Sequence, residues 1–287
     1  MIKVNRFDNA TQYYQQVESY LLSSEAIHCL ILGISKGLCR PQNDANQPYL
    51  TVVENNKSIV ATAIQTPPRK LILSQAITLP RSLAIALEAV EIIARDLSNN
   101  FQSLPGVIAP RVEAEAFVDS WQRLTGQSCR LDVAMSVHQL QTVQPINSAA
   151  GKLRLAVESD CHLLTDWGRA FETEALGENT PKSDHKLWFD RHIENQSLFV
   201  WQDNVTVSMA ACSGATPNGI RINAVYTPPE YRGRGYATSC VAEVSQQLRD
   251  RYRYCFLFTN LANPVSNHIY RKIGYLPMGD ISNYSFH

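Results

Sequence analysis

TPPEYRGRGYA, residues Thr227 to Ala237, lies between an apolar, strand-like run from Ile220 to Tyr226 and the stretch Thr238 to Arg251. In that stretch Val241, Val244 and Leu248 recur at helical spacing, so the context is strand, tight turn, helix. Gly233 and Gly235 let the backbone turn with its amides pointing inward, and the new helix brings the positive end of its dipole to the same place. A loop of this kind suits a phosphate or pyrophosphate. The chain has no G-x-x-x-x-G-K-[ST] here, which argues against a triphosphate cradle, and no third glycine completes the dinucleotide pattern G-x-G-x-x-G.

A second segment follows at short range. Arg253 to Thr259 is an apolar run of strand length, and Asn263, Pro264, Ser266, Asn267 and Tyr270 then lead to Lys272-Ile273-Gly274-Tyr275. Pro264 suits the first turn of a helix and Gly274 its end. On that helix Asn263, Asn267 and Tyr270 are spaced by four and three residues and can share a face.

Together the two segments resemble the GNAT acetyltransferases. Arg232 to Ala237 reads R-x-x-G-x-A and is similar to the family's acetyl-CoA loop, [QR]-x-x-G-x-[GA], between its fourth strand and third helix. Asn263, Tyr270, Gly274 and Tyr275 fit the pattern N-x6-Y-x3-G-[FY] of its last helix. The resemblance implies acetyl-CoA as co-substrate, with the pantetheine arm bonded to the edge of the fourth strand at Ala224, Val225 and Tyr226 like an added strand. It implies a pyrophosphate on the amides of Arg232, Gly233, Arg234, Gly235, Tyr236, Ala237 and Thr238, with Arg232 or Arg234 adding charge. Asn263, Ser266 and Asn267 would lie near the cofactor, and Tyr270 would protonate the departing thiolate after direct attack by an amine. One departure stands out: the fourth strand reads Arg221, Ile222, Asn223, Ala224, without the glutamate base of many members. Glu172 and Glu174 are the nearest carboxylates for that duty, and either also reads as a solvated helix charge.

Composition sets the frame. A chain of 287 residues is comfortable for two domains, and 45% hydrophobic with 18% charged residues is a globular balance. Lysine plus arginine equals aspartate plus glutamate, so no overall field recruits nucleic acid or an anionic membrane. No apolar run reaches the ~18 residues of a membrane span, and the first residues, MIKVNRFDNATQYYQQ, lack a signal-like apolar core; a cytoplasmic location is expected. The seven cysteines are scattered and the histidines form no ligand cluster, so neither a disulfide framework nor a metal site is expected.

From residue 153 the pattern runs β, α, α, β, β, β, α, β, α, β, ending in a short strand near Tyr284. The same order repeats in the first half, through strands such as Ser58 to Gln65 and Lys70 to Gln75, a helix from Arg81 to Leu97, and a last strand from Arg130 to Val137. No glycine loop precedes that helix. The expectation is therefore an α/β protein of tandem GNAT folds with mixed, mostly antiparallel central sheets: residues 1–138 a degenerate domain without the CoA loop, 139–152 a linker, 153–287 the catalytic domain. Partners expected are an amine-bearing small molecule or a peptide or protein amine. Two other classes compete: a non-catalytic acyl-CoA-binding or sensor protein, which would not need Tyr270, and a tandem-GNAT aminoacyl transferase, which would want a basic groove that the neutral charge does not supply.

Overall fold

The computed structural model describes residues 2–40, 47–76, 83–101, 103–176 and 184–287. Two compact units emerge: Met1–Val137 with Met278–His287, and His138–Pro277. The sequence reading ends the second half at His287; by contacts the last ten residues belong with the first unit.

In the first unit the elements are β1 Ile2–Arg6, α1 Ala10–Leu22, α2 Glu25–Leu38, β2 Tyr49–Asn55, β3 Ser58–Gln65, β4 Leu71–Leu73, α3 Leu83–Ser98, β5 Gly106–Pro110, α4 Arg111–Thr125 and β6 Cys129–Leu140. The expected helix start at Arg81 lies outside the described residues. β1 through β4 pair antiparallel in sequence, and β4 pairs parallel with β5 at Leu71↔Val107 and Ile72↔Ile108. The neighbour of β5 is the chain's last strand, β12 Leu276–Phe286, antiparallel from Ile281↔Pro110 to Ser285↔Gly106. That strand is eleven residues long, not short. Pro277 and Gly279 punctuate its sequence, and its pairing partner lies far upstream, so local pattern understated it. Lys70 Nζ fixes it, donating to Asn283 Oδ1 at 2.6 Å, Ser285 Oγ at 2.9 Å and Asp132 Oδ2 at 2.6 Å. One face of the sheet is covered by α1 and α2, with Tyr13, Val17, Leu21 and Leu32 at the centre, the other by α3 and α4, with Val90, Ile93, Phe117 and Trp121.

The second unit holds β7 Lys152–Leu155, α5 Cys161–Leu176, α6 His185–Glu194, β8 Leu198–Asp203, β9 Val205–Ser213, β10 Gly219–Tyr226, α7 Tyr236–Arg249, β11 Tyr254–Asn260 and α8 Pro264–Ile273. β7 to β10 pair antiparallel in order and β10 pairs parallel with β11. The sheet is mixed and mostly antiparallel in both units, as expected. Alternation along β10 explains its place: Ile220 and Ile222 pack with Val241, Val244 and Tyr270 on the α7 and α8 side. Beyond them the strand's burial switches, and Ala224 and Tyr226 join Leu164, Trp167 and Phe189 of α5 and α6. A two-layer cover buries both faces, which is why β8 and β9 read as continuous apolar runs.

Candidate functional site

The face switch in β10 is a bulge. Asn223 pairs with Ala211 of β9 and Tyr226 with Met209, so Ala224 and Val225 together oppose one residue. Ala224 takes φ 46°, a left-handed conformation costing an alanine about 1 kcal/mol. Strain of this kind collects at functional sites. On the opposite edge the parallel pairing of β10 with β11 runs only from Gly219↔Tyr254 to Arg221↔Phe256. Beyond Arg221 the two strands part. The gap is flanked by the bulge on one side and by Leu257 to Asn260 on the other. Of the three strand residues singled out from sequence, Ala224 and Val225 are the bulge itself. Tyr226 differs: its carbonyl accepts from Ser208 Oγ at 3.1 Å on the β9 side.

At the far end of β10 the chain makes a short 3-10 turn, Pro229–Tyr231, and enters α7. Gly233 and Gly235 take φ 77° and 81°, and an added Cβ at either would meet nothing closer than Ala149 at 3.8 Å. Glycine is required there by backbone conformation and not by crowding. The amides of Gly233, Arg234, Gly235, Tyr236, Ala237 and Thr238 donate to no acceptor among the described residues. Gly235 caps α7 without a side chain, so the first-turn donors that a cap would satisfy stay open at the positive end of the helix. The Tyr236 ring is turned inward, its hydroxyl donating to Asp203 Oδ2 at 2.6 Å, and it anchors the loop.

The two arginines of the loop have different fates. Arg232 is held by Glu174, with Nη2 2.8 Å from Oε2, by the Thr227 carbonyl at 2.8 Å from Nε, and by the Tyr226 ring, 5.7 Å from Cζ to centroid. Arg234 is exposed, beside the Tyr236 hydroxyl, and in no ion pair among the described residues. Of the two loop cations it is the one that no carboxylate among the described residues neutralises. The two candidate bases are likewise paired, Glu174 to Arg232 and Glu172 Oε2 to His185 Nε2 at 3.0 Å.

α8 closes the other wall. Asn263 is its N-cap, accepting from the Ser266 amide at 3.1 Å, and Ser266 Oγ returns to the Asn263 carbonyl at 3.2 Å. Both are absorbed in capping. Asn267 is different: Nδ2 donates to the Asn260 carbonyl at 3.2 Å, tying α8 to the diverging end of β11, while Oδ1 is buried without a partner. Tyr270 is 8% exposed, edge-on to Tyr275 at 5.9 Å between centroids. Burial pushes its phenol well above the ordinary value, so it stays protonated across the physiological range. Of the buried tyrosines, Tyr13, Tyr20, Tyr49, Tyr226, Tyr236 and Tyr275 each donate to a protein group. Among the described residues Tyr270 donates to none. The fold makes no use of this hydroxyl, whose oxygen is not among the fully buried atoms that lack a partner.

Sequence reading missed one contributor. Ala149 lies against Gly235 and donates its amide to Ser239 Oγ at 2.8 Å, while Trp201 Nε1 donates to the Ala150 carbonyl at 2.8 Å. The segment before β7 is thus packed against the loop, and alanines and serines carry no signal of such a role.

The model of the acetyltransferase (GNAT) family matches residues 162–275. Solved structures share the fold over nearly the whole chain. An acetyltransferase from the GNAT family of Colwellia psychrerythraea is 14% identical with a TM-score of 0.61, covering 99% of this chain and 100% of that one. A GCN5-related N-acetyltransferase of Sphaerobacter thermophilus is 14% identical with a TM-score of 0.63, covering 99% and 95%. A tandem GNAT protein of the clavulanic acid biosynthesis pathway is 11% identical with a TM-score of 0.54, covering 100% and 98%. Residues 162–275 thus match the GNAT family, and the whole chain shares the two-domain fold of these structures. No curated protein matches it significantly. The family match over residues 162–275 supports acyl-CoA N-acyl transfer as the general activity, with an amine-bearing substrate. Among the described residues no helix is long and apolar enough to cross a membrane, and no group of three or more His, Cys, Asp or Glu could hold a metal ion.

Proposed function

We propose that the protein is an acetyl-CoA-dependent N-acetyltransferase whose cofactor site lies wholly in the second unit. The observation that carries this reading is the parting of β10 from β11 after Arg221↔Phe256, with a loop of uncommitted amides at the far end of the same strand. The pantetheine arm bonds the edge at Ala224 and Val225, and the pyrophosphate takes amides from Gly233 to Thr238, with Arg234 adding charge. Asn267 Oδ1 is the acceptor left for an amide of the arm. An amine attacks the thioester carbonyl, whose oxygen is polarised by a backbone amide of the bulge. The C–N bond forms, the C–S bond breaks, and the thiolate takes the Tyr270 proton; the proton lost by the amine returns through solvent to the phenolate.

The first unit is proposed not to hold acetyl-CoA. Its fourth strand also parts from the fifth after Ile72↔Ile108, but there the Ala76 amide donates to Glu113 Oε1 of α4 at 2.8 Å. A carboxylate of the protein itself fills the edge that the second unit leaves open. A panel of amines incubated with acetyl-CoA, following free CoA and acetylated product, tests the reading. Tight acetyl-CoA binding with no product from any amine would favour a non-catalytic acyl-CoA sensor.

A further inference from the structure

Among the described residues Arg221 is a cation without a counter-charge. It stands on β10 opposite Ser213 of β9 and Phe256 of β11, in the last bonded pair before the strands part. Its guanidinium lies over the Phe258 ring, 5.6 Å from Cζ to centroid. On its other side is Gly214, where an added Cβ would come 3.4 Å from Nη2 and 3.5 Å from Nη1. Nη1 is buried with no hydrogen-bond partner, and Arg221 enters no ion pair among the described residues.

This is an expensive arrangement for a fold to keep. Buried charged groups are paired as a rule, and an unmet donor of this kind costs stability. Held between a ring and a glycine, the planar fork is oriented in advance, and its geometry matches a carboxylate bidentately. Asn223, two residues on and therefore on the same side of the strand, has its Nδ2 committed to Ser213 Oγ at 2.6 Å. The strand that carries the bulge thus presents one unspent cation about 10 Å upstream of Ala224, at three residues of ~3.3 Å each.

We propose that Arg221 is a specificity-determining residue that binds a carboxylate of the acceptor, so that the amine acetylated belongs to an amino acid or to a short peptide with a free chain end. The proposal rests on the acetyl-transfer reading above. The bidentate pair fixes the acceptor at the apex of the gap and directs its amine toward the bulge.

The test is an acceptor panel of matched pairs differing in the carboxylate: L-lysine against 1,5-diaminopentane, L-ornithine against 1,4-diaminobutane, β-alanine against ethylamine, and glycylglycine against its amide. Free CoA release from acetyl-CoA is followed for the wild type, Arg221→Gln and Arg221→Lys. The wild type is expected to prefer the carboxylate member of its best pair by roughly 10- to 100-fold in kcat/KM, the size of a lost charge-assisted contact. Arg221→Gln should abolish that preference and Arg221→Lys restore part of it, with acetyl-CoA affinity and Tm held near wild type in both. The pairs separate a free amino acid from a peptide end. A panel in which no carboxylate member outpaces its partner, or an Arg221→Gln protein that keeps the preference, overturns the inference. Failure of acetyl-CoA to bind the wild type would instead sink the acetyl-transfer reading itself.

Discussion

Two neighbouring tyrosines make a paired experiment. Tyr270 and Tyr275 are both buried, but among the described residues only the Tyr275 hydroxyl has a protein partner, Ser245 Oγ at 2.8 Å. Tyr275→Phe removes that bond while Ser245 Oγ keeps the Val241 carbonyl at 2.7 Å, so the loss is one hydrogen bond, about 1 kcal/mol, or a fall of roughly 2 to 4 °C in Tm. Tyr270→Phe removes a hydroxyl that the fold does not use. Stability should be unchanged, because no hydrogen bond of the fold is lost. Turnover should show the reverse. Positioned acid catalysis contributes on the order of 10² to 10⁴, and a thiolate of solution pKa about 8.5 leaves readily, so Tyr270→Phe should cost about 10²-fold, near 2.7 kcal/mol of barrier. Tyr275→Phe should turn over as wild type. Differential scanning calorimetry and steady-state CoA release with the best acceptor decide it. A Tyr270→Phe protein with wild-type turnover, or with the same Tm loss as Tyr275→Phe, would show its hydroxyl to be structural.

Other consequences follow from single residues. Arg232 is engaged by Glu174, Tyr226 and the Thr227 carbonyl, so Arg232→Ala should weaken acetyl-CoA binding less than fivefold, and isothermal titration showing a larger loss would return it to the pyrophosphate. His28 is buried, its Nδ1 2.8 Å from the Leu21 carbonyl and its Nε2 accepting from the Gln75 amide at 3.0 Å, and burial pushes its pKa from 6.5 down to about 4. In that window the unfolded chain binds the proton and the folded one does not, so stability is full above about pH 6.5 and falls as pH drops toward 4, by about 3 kcal/mol from this group. His28→Gln should flatten the decline in unfolding free energy over that range; an unchanged slope would show that His28 does not titrate there.

The loop and α8 were legible because their residues carry backbone requirements in their identity: glycines at φ 77° and 81°, a proline in the first helical turn, an asparagine that caps. The order of elements was legible from period alone. The bulge was not, since an alanine in the left-handed region looks like any other alanine. Nor was the Arg232 to Glu174 pair, 58 residues apart, which exists only because α5 packs against β10. The sequence named Asn263, Ser266 and Asn267 alike; only packing separates the two that cap a helix from the one with an unmet oxygen.

Titration of acetyl-CoA into the wild type and Gly235→Val bears most directly on the site. Valine at φ 81° is strained, so the loop must leave its left-handed turn and lose amide contacts to a charged group worth roughly 1.5 to 3 kcal/mol each. One site per chain is expected in the wild type and at least a tenfold weaker one in Gly235→Val. Two sites per chain, or unchanged affinity in the variant, would contradict that expectation.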